Sequence, residues 1–364
     1  MIAFDYAGRM ERARGLMAAA GVDVLLLSVG ADLPYFTGYR AMPLERLTML
    51  VLPVEGPAAL VVPGLEAPRV ALHPEAFTLR PWAETDDPIA LVAGLCGSPR
   101  RVAVGDPTWS VFLLGLQEHL PRAAFGPASP LTGELRMRKG PEEVELLRRA
   151  GTAVDRVVER LDRHPFAGKT ERRLSAEVAA MTVEEGHEAA TFSIVASGPN
   201  GASPHHEAGD RVVGDGDAVV VDFGGRLQGY CSDITRTFFV GEPPPGFLEV
   251  FSAVRAAQEA GVTAAAPGVP AQEVDRAARR VITDAGYGPF FVHRTGHGIG
   301  LEEHEPPYIV EGNALPLEVG MAFSVEPGVY LPGRFGVRLE DVVVVTAGGA
   351  ERLNNSSRDL HRVG

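Results

Sequence analysis

The chain has 364 residues, long enough for two domains that each bury a core of their own. It carries 47 acidic against 34 basic residues, a net charge of −13 with no basic stripe, which excludes a nucleic-acid-binding face and anionic polymers as partners. Its two cysteines, Cys96 and Cys231, stand far apart without CxxC spacing, which excludes a disulfide framework and a cysteine zinc knot and points to a reducing, cytoplasmic setting.

The opening segment, MIAFDYAGRMERARGLMAAAGV, mixes charges and places an apolar residue every three or four positions. It is predicted as an amphipathic helix using Met10, Leu16 and Met17 rather than as a secretion signal. No run approaches the roughly 20 apolar residues a membrane span needs. From there to about residue 125, strand-like runs (VDVLLLSV, RLTMLVLPV, AALVVPG, RRVAVG) alternate with helical ones (DDPIALVAGLC, SVFLLGLQEHL), the pattern of an α/β domain. Tyr35, Phe36, Gly38 and Tyr39 in LPYFTGYRA are expected to form wall and core rather than chemistry.

The Gly-, Pro- and charge-rich stretch GPASPLTGELRMRKGPEEVE marks the domain boundary, giving domains at 1–127 and 128–364. Beyond it Pro141 suits the first turn of a helix, with Glu142 and Glu143 near its positive end. Val144, Leu147, Val154, Val158 and Leu161 continue that helix at its own period. A further helix near RRLSAEVAAMTVEEG is followed by strands at TFSIVASG, DAVVVDFGG and DITRTFFV. Two helices, LEVFSAVRAAQEAG and AQEVDRAARRVITDAG, precede closing strands at MAFSVE and RLEDVVVV. The second domain is therefore predicted as α+β, with helices packed on a sheet.

Five candidate metal ligands stand in this domain: Asp222 in VVVDFGG, Asp233 in CSDITRT, His297 in TGHGIG, Glu326 in SVEPGVY and Glu340 in VRLEDVV. Four carboxylates and one imidazole form a hard, oxygen-rich set suited to two divalent cations, manganese first, with cobalt or zinc as alternatives. Taken singly, Asp222 and Asp233 read as turn aspartates. Their spacing across GGRLQGYC lets two strands return side by side and bring both carboxylates to one point. His297 lies between glycines that leave its imidazole unshielded. Glu340 inside an apolar strand is costly unless it binds a cation or pairs with Arg338, two residues away. His205, His293 and His304 flank the set and read as proton donors and oxyanion stabilisers, with His206 a bystander.

These blocks, DFGG, SDITRTF, HRTGHGIG, HEPP, VEPGVY and RLED, occur in the order and spacing of the pita-bread metallopeptidases, and the chain from about residue 130 resembles that family. The first 125 residues resemble the N-terminal domain of its Xaa-Pro-cleaving members and of creatinase. The resemblance implies a fold: a smaller creatinase-like α/β domain ahead of a pita-bread α+β catalytic domain. It also implies that Asp222 chelates one metal, that Asp233 and Glu340 bridge two, and that His297 and Glu326 complete the second. A water activated by the pair attacks the scissile carbonyl, with Glu326 shuttling the proton. His205, His293 and His304 are then substrate-side groups, and Tyr230 and Arg338 occupy pocket or ligand-orienting positions. The implied substrates are proline-containing peptides, and the implied assembly is a homodimer.

One position departs from the family's pattern: after His304 the run is HEPPYI, and Tyr308 stands where prolidases carry an arginine for the dipeptide carboxylate. Losing that charge-assisted partner costs about 1.5–3 kcal/mol, roughly ten- to hundredfold in preference. The expectation is accordingly an aminopeptidase P acting on tripeptides and longer, with a strict Xaa-Pro dipeptidase (prolidase) as the alternative; an arginine elsewhere, such as Arg40 of a partner subunit, would restore dipeptide binding. A metal-free creatinase-like amidinohydrolase and a non-catalytic binding module are more remote, since both lose ligands that all stand here.

Overall fold

A computed structural model describes residues 3–364, which fall into two compact units, Met1–Arg136 and Met137–Gly364. Among the described residues no helix is long and apolar enough to cross a membrane.

The first unit opens with α1 (Tyr6–Ala20), capped by Asp5, whose Oδ1 accepts from the Gly8 amide at 2.8 Å, and closed by Gly21 at φ +65°. Met10, Ala13 and Met17 form its buried stripe, with Leu16 half-buried beside it. There follow β1 (Val24–Leu27), α2 (Asp32–Thr37), β2 (Met49–Pro53), β3 (Ala58–Pro63), β4 (Phe77–Trp82), α3 (Pro88–Cys96), β5 (Arg101–Val104), α4 (Ser110–His119), β6 (Ala124–Pro127) and α5 (Ser129–Met137). The strands make one mixed sheet in the order β4-β3-β2-β1-β5-β6. The central strand β1 pairs antiparallel with β2 and parallel with β5, and every one of its residues is buried, which is why it reads as an unbroken apolar run. Val92 of α3 and Leu116 of α4 close the core over Val24, Leu26 and Trp82. The LPYFTG segment coils into α2, with Tyr35 and Phe36 buried. Three elements escape the sequence patterns: β4, which contains Pro81; β6; and α5, hidden in the Gly- and Pro-rich stretch. Tertiary contact secures α5, where Arg136 pairs with Asp32 at 2.8 Å.

The second unit begins with α6 (Pro141–Leu161) and α7 (Glu171–Glu184). Glu143, in the first turn of α6, is buried and takes the Gly140 amide at 3.0 Å and the Tyr230 hydroxyl at 2.7 Å. Next come β7 (Ala189–Ser197), β8 (Ala218–Leu227), β9 (Tyr230–Cys231) and β10 (Ile234–Val240), then α8 (Phe247–Ala264) and α9 (Ala271–Asp284). The rest is strand: β11 (Gly296–Gly298), β12 (Glu305–Ile309), β13 (Ala322–Val325), β14 (Gly328–Leu331), β15 (Phe335–Arg338), β16 (Asp341–Thr346), β17 (Gly349–Arg352) and β18 (His361–Val363). Two sheets result, β18-β10-β8-β7 with β9 on β8, and β12-β11-β13-β16-β17, with β14 and β15 as a separate hairpin. Val154 and Val158 of α6 and Leu174 and Val178 of α7 pack on Val195, Val221, Ile234 and Phe238 of the first sheet. Val262 of α8 and Val274 of α9 pack on Phe323, Val325 and Val343 of the second.

Two local features place the functional side chains. The GGRLQGYC connection is a tight hairpin: Leu227 faces Tyr230, and the central residues Gln228 and Gly229 take φ +47° and +93°, as a two-residue turn of that hand requires. Gly224 has no room for a side chain, since a Cβ there would lie 2.1 Å from the Ser232 carbonyl oxygen where the chain crosses back. The expected single strand through VRLEDVVVV is in fact two, with Leu339 and Glu340 at the junction, because the chain leaves the β14–β15 hairpin there and joins the second sheet. The Glu340 amide donates to the Thr235 carbonyl at 3.1 Å, tying this junction to β10.

Candidate metal centre

Antiparallel pairing of β8 with β10 sets Thr235 opposite Asp222, so that Asp222 and, just before β10, Asp233 reach the same end of the first sheet. His297 comes from β11, Glu326 from the end of β13, and Glu340 from the β15–β16 junction. All five line one cavity of about 500 Å³, together with His205, His293, Arg294, Glu303, His304 and Arg338, and with Phe192, Ile194 and Pro204 as an apolar wall. Asp233, His297 and Glu340 offer ligand atoms within 4.8 Å of one another. His297 Nε2 lies 3.2 Å from Glu326 Oε1 and 3.6 Å from Asp233 Oδ2.

The electrostatics of this cluster are those of a site short of positive charge. Burial, then repulsion from Glu340, Asp222 and Glu326, lifts the Asp233 carboxyl well above its ordinary range. Burial, with Glu326 and Asp222, does the same to Glu340. Burial also raises Asp222, against the pull of Arg338. For Glu326 burial is outweighed by the hydrogen bond and charge of His297, with His293 and Arg338, which hold its carboxyl at about 2. Asp222 Oδ1 and Glu340 Oε1 are buried without a hydrogen-bond partner. Buried carboxylate oxygens facing each other unpaired are costly unless a cation completes them, so the residues present fit divalent metal ions.

Arg338 pairs with Asp222 rather than with its strand neighbour Glu340. It also donates to Tyr330 Oη at 2.8 Å, Thr235 Oγ1 at 3.1 Å and the Pro204 carbonyl at 3.2 Å. Thr235 Oγ1 in turn donates to Glu340 Oε2 at 2.6 Å, so one hydroxyl joins the guanidinium to the second carboxylate. His293 is held on both sides: Nδ1 lies 2.7 Å from the Arg294 carbonyl oxygen and so donates, leaving Nε2 to accept from the Tyr330 hydroxyl at 2.7 Å. Burial favours the neutral imidazole that this arrangement needs, and it keeps Tyr330 protonated by raising its hydroxyl to about 12. His304 and His205 are exposed, with the His304 ring 4.0 Å from that of His297.

Two residues named from the sequence do not line the cavity. Tyr230 is buried with its hydroxyl on Glu143, and Tyr308, half-exposed on β12 opposite His297, lies with its ring under the Arg294 guanidinium at 4.4 Å. Sequence reasoning missed Arg294 and Glu303. Each lies beside a histidine it did single out, and that adjacency was the available signal.

His206, set aside as a bystander, belongs to a support beneath His205. The buried carboxylate of Glu171 accepts from His206 Nε2 at 2.8 Å, from the amide and hydroxyl of Ser197 at 2.8 and 2.7 Å, from Asn200 Nδ2 at 3.0 Å and from the Gly209 amide at 3.3 Å. It thereby pins the loop that carries Pro204 and His205. Glu171→Ala orphans these donors, and a loss of about 2 kcal/mol or more is expected. Faster amide exchange should appear at residues 197–209, with a raised KM; unchanged protection there would show that the loop is held by other means.

Comparison with known proteins gives two matches along the chain. The profile of metallopeptidase family M24 matches residues 145–347, and that of the creatinase/prolidase N-terminal domain matches residues 9–138. The crystal structure of dipeptidase PepE from Mycobacterium ulcerans superposes with a TM-score of 0.92 at 46% identity, covering 99% of each chain. That of a recombinant prolidase from Thermococcus sibiricus gives 0.93 at 36% identity over 100% of each. An Xaa-Pro dipeptidase from Lactobacillus helveticus is 35% identical, across 93% of this chain and 94% of its own. The fold is therefore a creatinase-like domain followed by a pita-bread α+β domain.

Proposed function

Because this chain belongs to metallopeptidase family M24, we propose that it is an Xaa-Pro dipeptidase, hydrolysing the amide between an N-terminal residue and a C-terminal proline. The observation that carries this reading is the convergence of Asp222, Asp233, His297, Glu326 and Glu340, from five separate segments, on one cavity with unsatisfied carboxylate oxygens. The dipeptide preference is supported by relatives of matching length that are named dipeptidases and prolidases. That support outweighs the expectation of an aminopeptidase P, which stood on Tyr308 alone.

Asp222, Asp233, His297, Glu326 and Glu340 would hold two divalent cations, manganese ahead of cobalt and zinc. When bound, these supply an acidified water and a Lewis acid for the scissile carbonyl. Glu326, at the end of β13 beside His297, accepts the proton of the attacking water and returns it to the proline nitrogen as the amide breaks. His205 and His304 hydrogen-bond the carbonyl oxygen and the peptide, while His293 fixes the Tyr330 hydroxyl. Phe192 and Ile194, two apart on β7 and so on one face, offer the pyrrolidine ring an apolar surface. Arg338 orients Asp222 and opposes the effect of its burial. We place the enzyme in the cytoplasm as a homodimer, the former on the two free thiols of Cys96 and Cys231.

The test is a peptide panel with manganese-loaded protein. Ala-Pro should be cleaved at least about tenfold better than Ala-Pro-Ala, the worth of one charge-assisted contact to the terminal carboxylate, and Ala-Ala poorly. A preference for the tripeptide would establish an aminopeptidase P instead. Absence of hydrolysis with less than one ion bound per chain would point to a binding module or an amidinohydrolase.

A further inference from the structure

The guanidinium of Arg294 is a cation without a counterion inside an acidic cavity. The cavity is lined by two arginines, Arg294 and Arg338. Arg338 is spent: its side chain is 3% exposed and it donates to Asp222, Tyr330, Thr235 and Pro204. Arg294 has no hydrogen-bond or ion-pair partner for its side chain among the described residues, and its ordered contact is the face of Tyr308, 4.4 Å from the ring centroid. Stacking on an aromatic face orients a guanidinium while leaving its edge N–H donors free. The same cavity holds Glu303 at its margin, yet that carboxylate does not close on Arg294. Arg294 lines the cavity together with His205, His293 and His304, so the guanidinium sits among the substrate-facing histidines rather than out in solvent.

An Xaa-Pro dipeptide differs from every longer peptide in one respect relevant here. It presents a carboxylate on the proline whose nitrogen is being released, a few ångströms from the scissile bond. Taken out of water beside the scissile bond, that group is costly unless a hydrogen-bonding cation meets it. We propose that Arg294, carried on Tyr308, receives the terminal carboxylate of the dipeptide and sets the enzyme's preference for dipeptides. This rests on the dipeptidase reading above. It also gives Tyr308 a role: the tyrosine supplies the platform and Arg294 the charge.

The experiment compares wild-type, Arg294→Ala and Arg294→Lys proteins, loaded with manganese, on Ala-Pro and on its uncharged amide. Wild type should favour Ala-Pro. Arg294→Ala should lower kcat/KM for Ala-Pro about ten- to hundredfold more than for the amide, chiefly through KM, because the contact is made equally in ground and transition states. Arg294→Lys, which keeps the charge without the planar fork, should recover part of the loss. A wild-type preference that survives in Arg294→Ala, or a loss equal on both substrates, overturns the assignment and leaves the dipeptidase reading standing. A wild type indifferent to the carboxylate overturns both.

Discussion

Asp233→Asn is expected to abolish peptide hydrolysis in protein exposed to excess manganese, with kcat/KM down by about a thousandfold or more, while the metal-free protein becomes more stable than wild type. The two halves of this result have one cause. Asp233 is buried against Glu340, Asp222 and Glu326, and its carboxyl is lifted well above its ordinary range by burial first and by those neighbours next. A carboxyl raised in the folded state contributes stability that is fully present below its unfolded value, about 3.9, and is lost as pH rises through the folded value. Asparagine, which never ionises, escapes that loss. The metal-free variant and wild type should therefore melt together in acid, with the variant pulling ahead as pH rises toward neutrality. Added manganese should restore wild type strongly and the variant weakly, because the variant has lost one of the three groups whose ligand atoms lie within 4.8 Å of one another. Thermal scans with and without manganese at several pH values check this. A metal-free variant less stable than wild type at neutral pH would mean that the carboxylate is structural.

Removing the guanidinium of Arg236 should cost more stability than any other single change near the site. Arg236 is wholly buried on β10 and pairs with the equally buried Asp341 at 2.8 Å. It donates further to the carbonyls of Thr235 at 2.9 Å, Glu340 at 2.6 Å, Ser357 at 2.8 Å and Ser356 at 3.1 Å, and to Ser356 Oγ at 2.9 Å. Burial acts to raise Asp341, but Arg236 and Arg358 outweigh it and keep the carboxylate ionised. Arg236→Met leaves that charge and four carbonyls short of donors, an expected loss of about 3–5 kcal/mol. For a domain of this size the fall in Tm is roughly 6–20 °C. Because the lost bonds include those to the Thr235 and Glu340 carbonyls, manganese affinity should fall too, although Arg236 touches no proposed ligand side chain. Adding Asp341→Leu should recover part of the stability, since Arg352 and Arg358, its other cationic partners, are partly exposed and can turn to water. A single variant that melts with wild type would show that Asp341 is satisfied without Arg236.

Much of this was legible in the chain itself, for definite reasons. Periodicity marked α1, α6 and the buried strand β1 because burial imposes a repeat of 3.6 residues on a helix and an unbroken apolar run on an enclosed strand. The site residues stood out because acids and histidines beside glycines or inside apolar runs have few structural uses. By contrast β4 and α5 were invisible, since Pro81 interrupts one and the other is held by a distant pair, Arg136 with Asp32.

Tertiary structure alone decided which charge faces which. Two residues of spacing suggested Arg338 with Glu340, yet the chain changes sheets between them, and Arg338 turns to Asp222 from β8 while Glu340 turns to Thr235. Likewise Tyr308, which stands in the run where prolidases carry an arginine for the substrate carboxylate, lies beneath Arg294, and Tyr230 points inward to Glu143. Residue type and local period are properties of a segment, and a sequence carries them in full. Partner choice depends on strand register and on where the chain crosses from one sheet to another, and these are set by packing among separate segments of the chain, as far as 116 residues apart for Arg338 and Asp222.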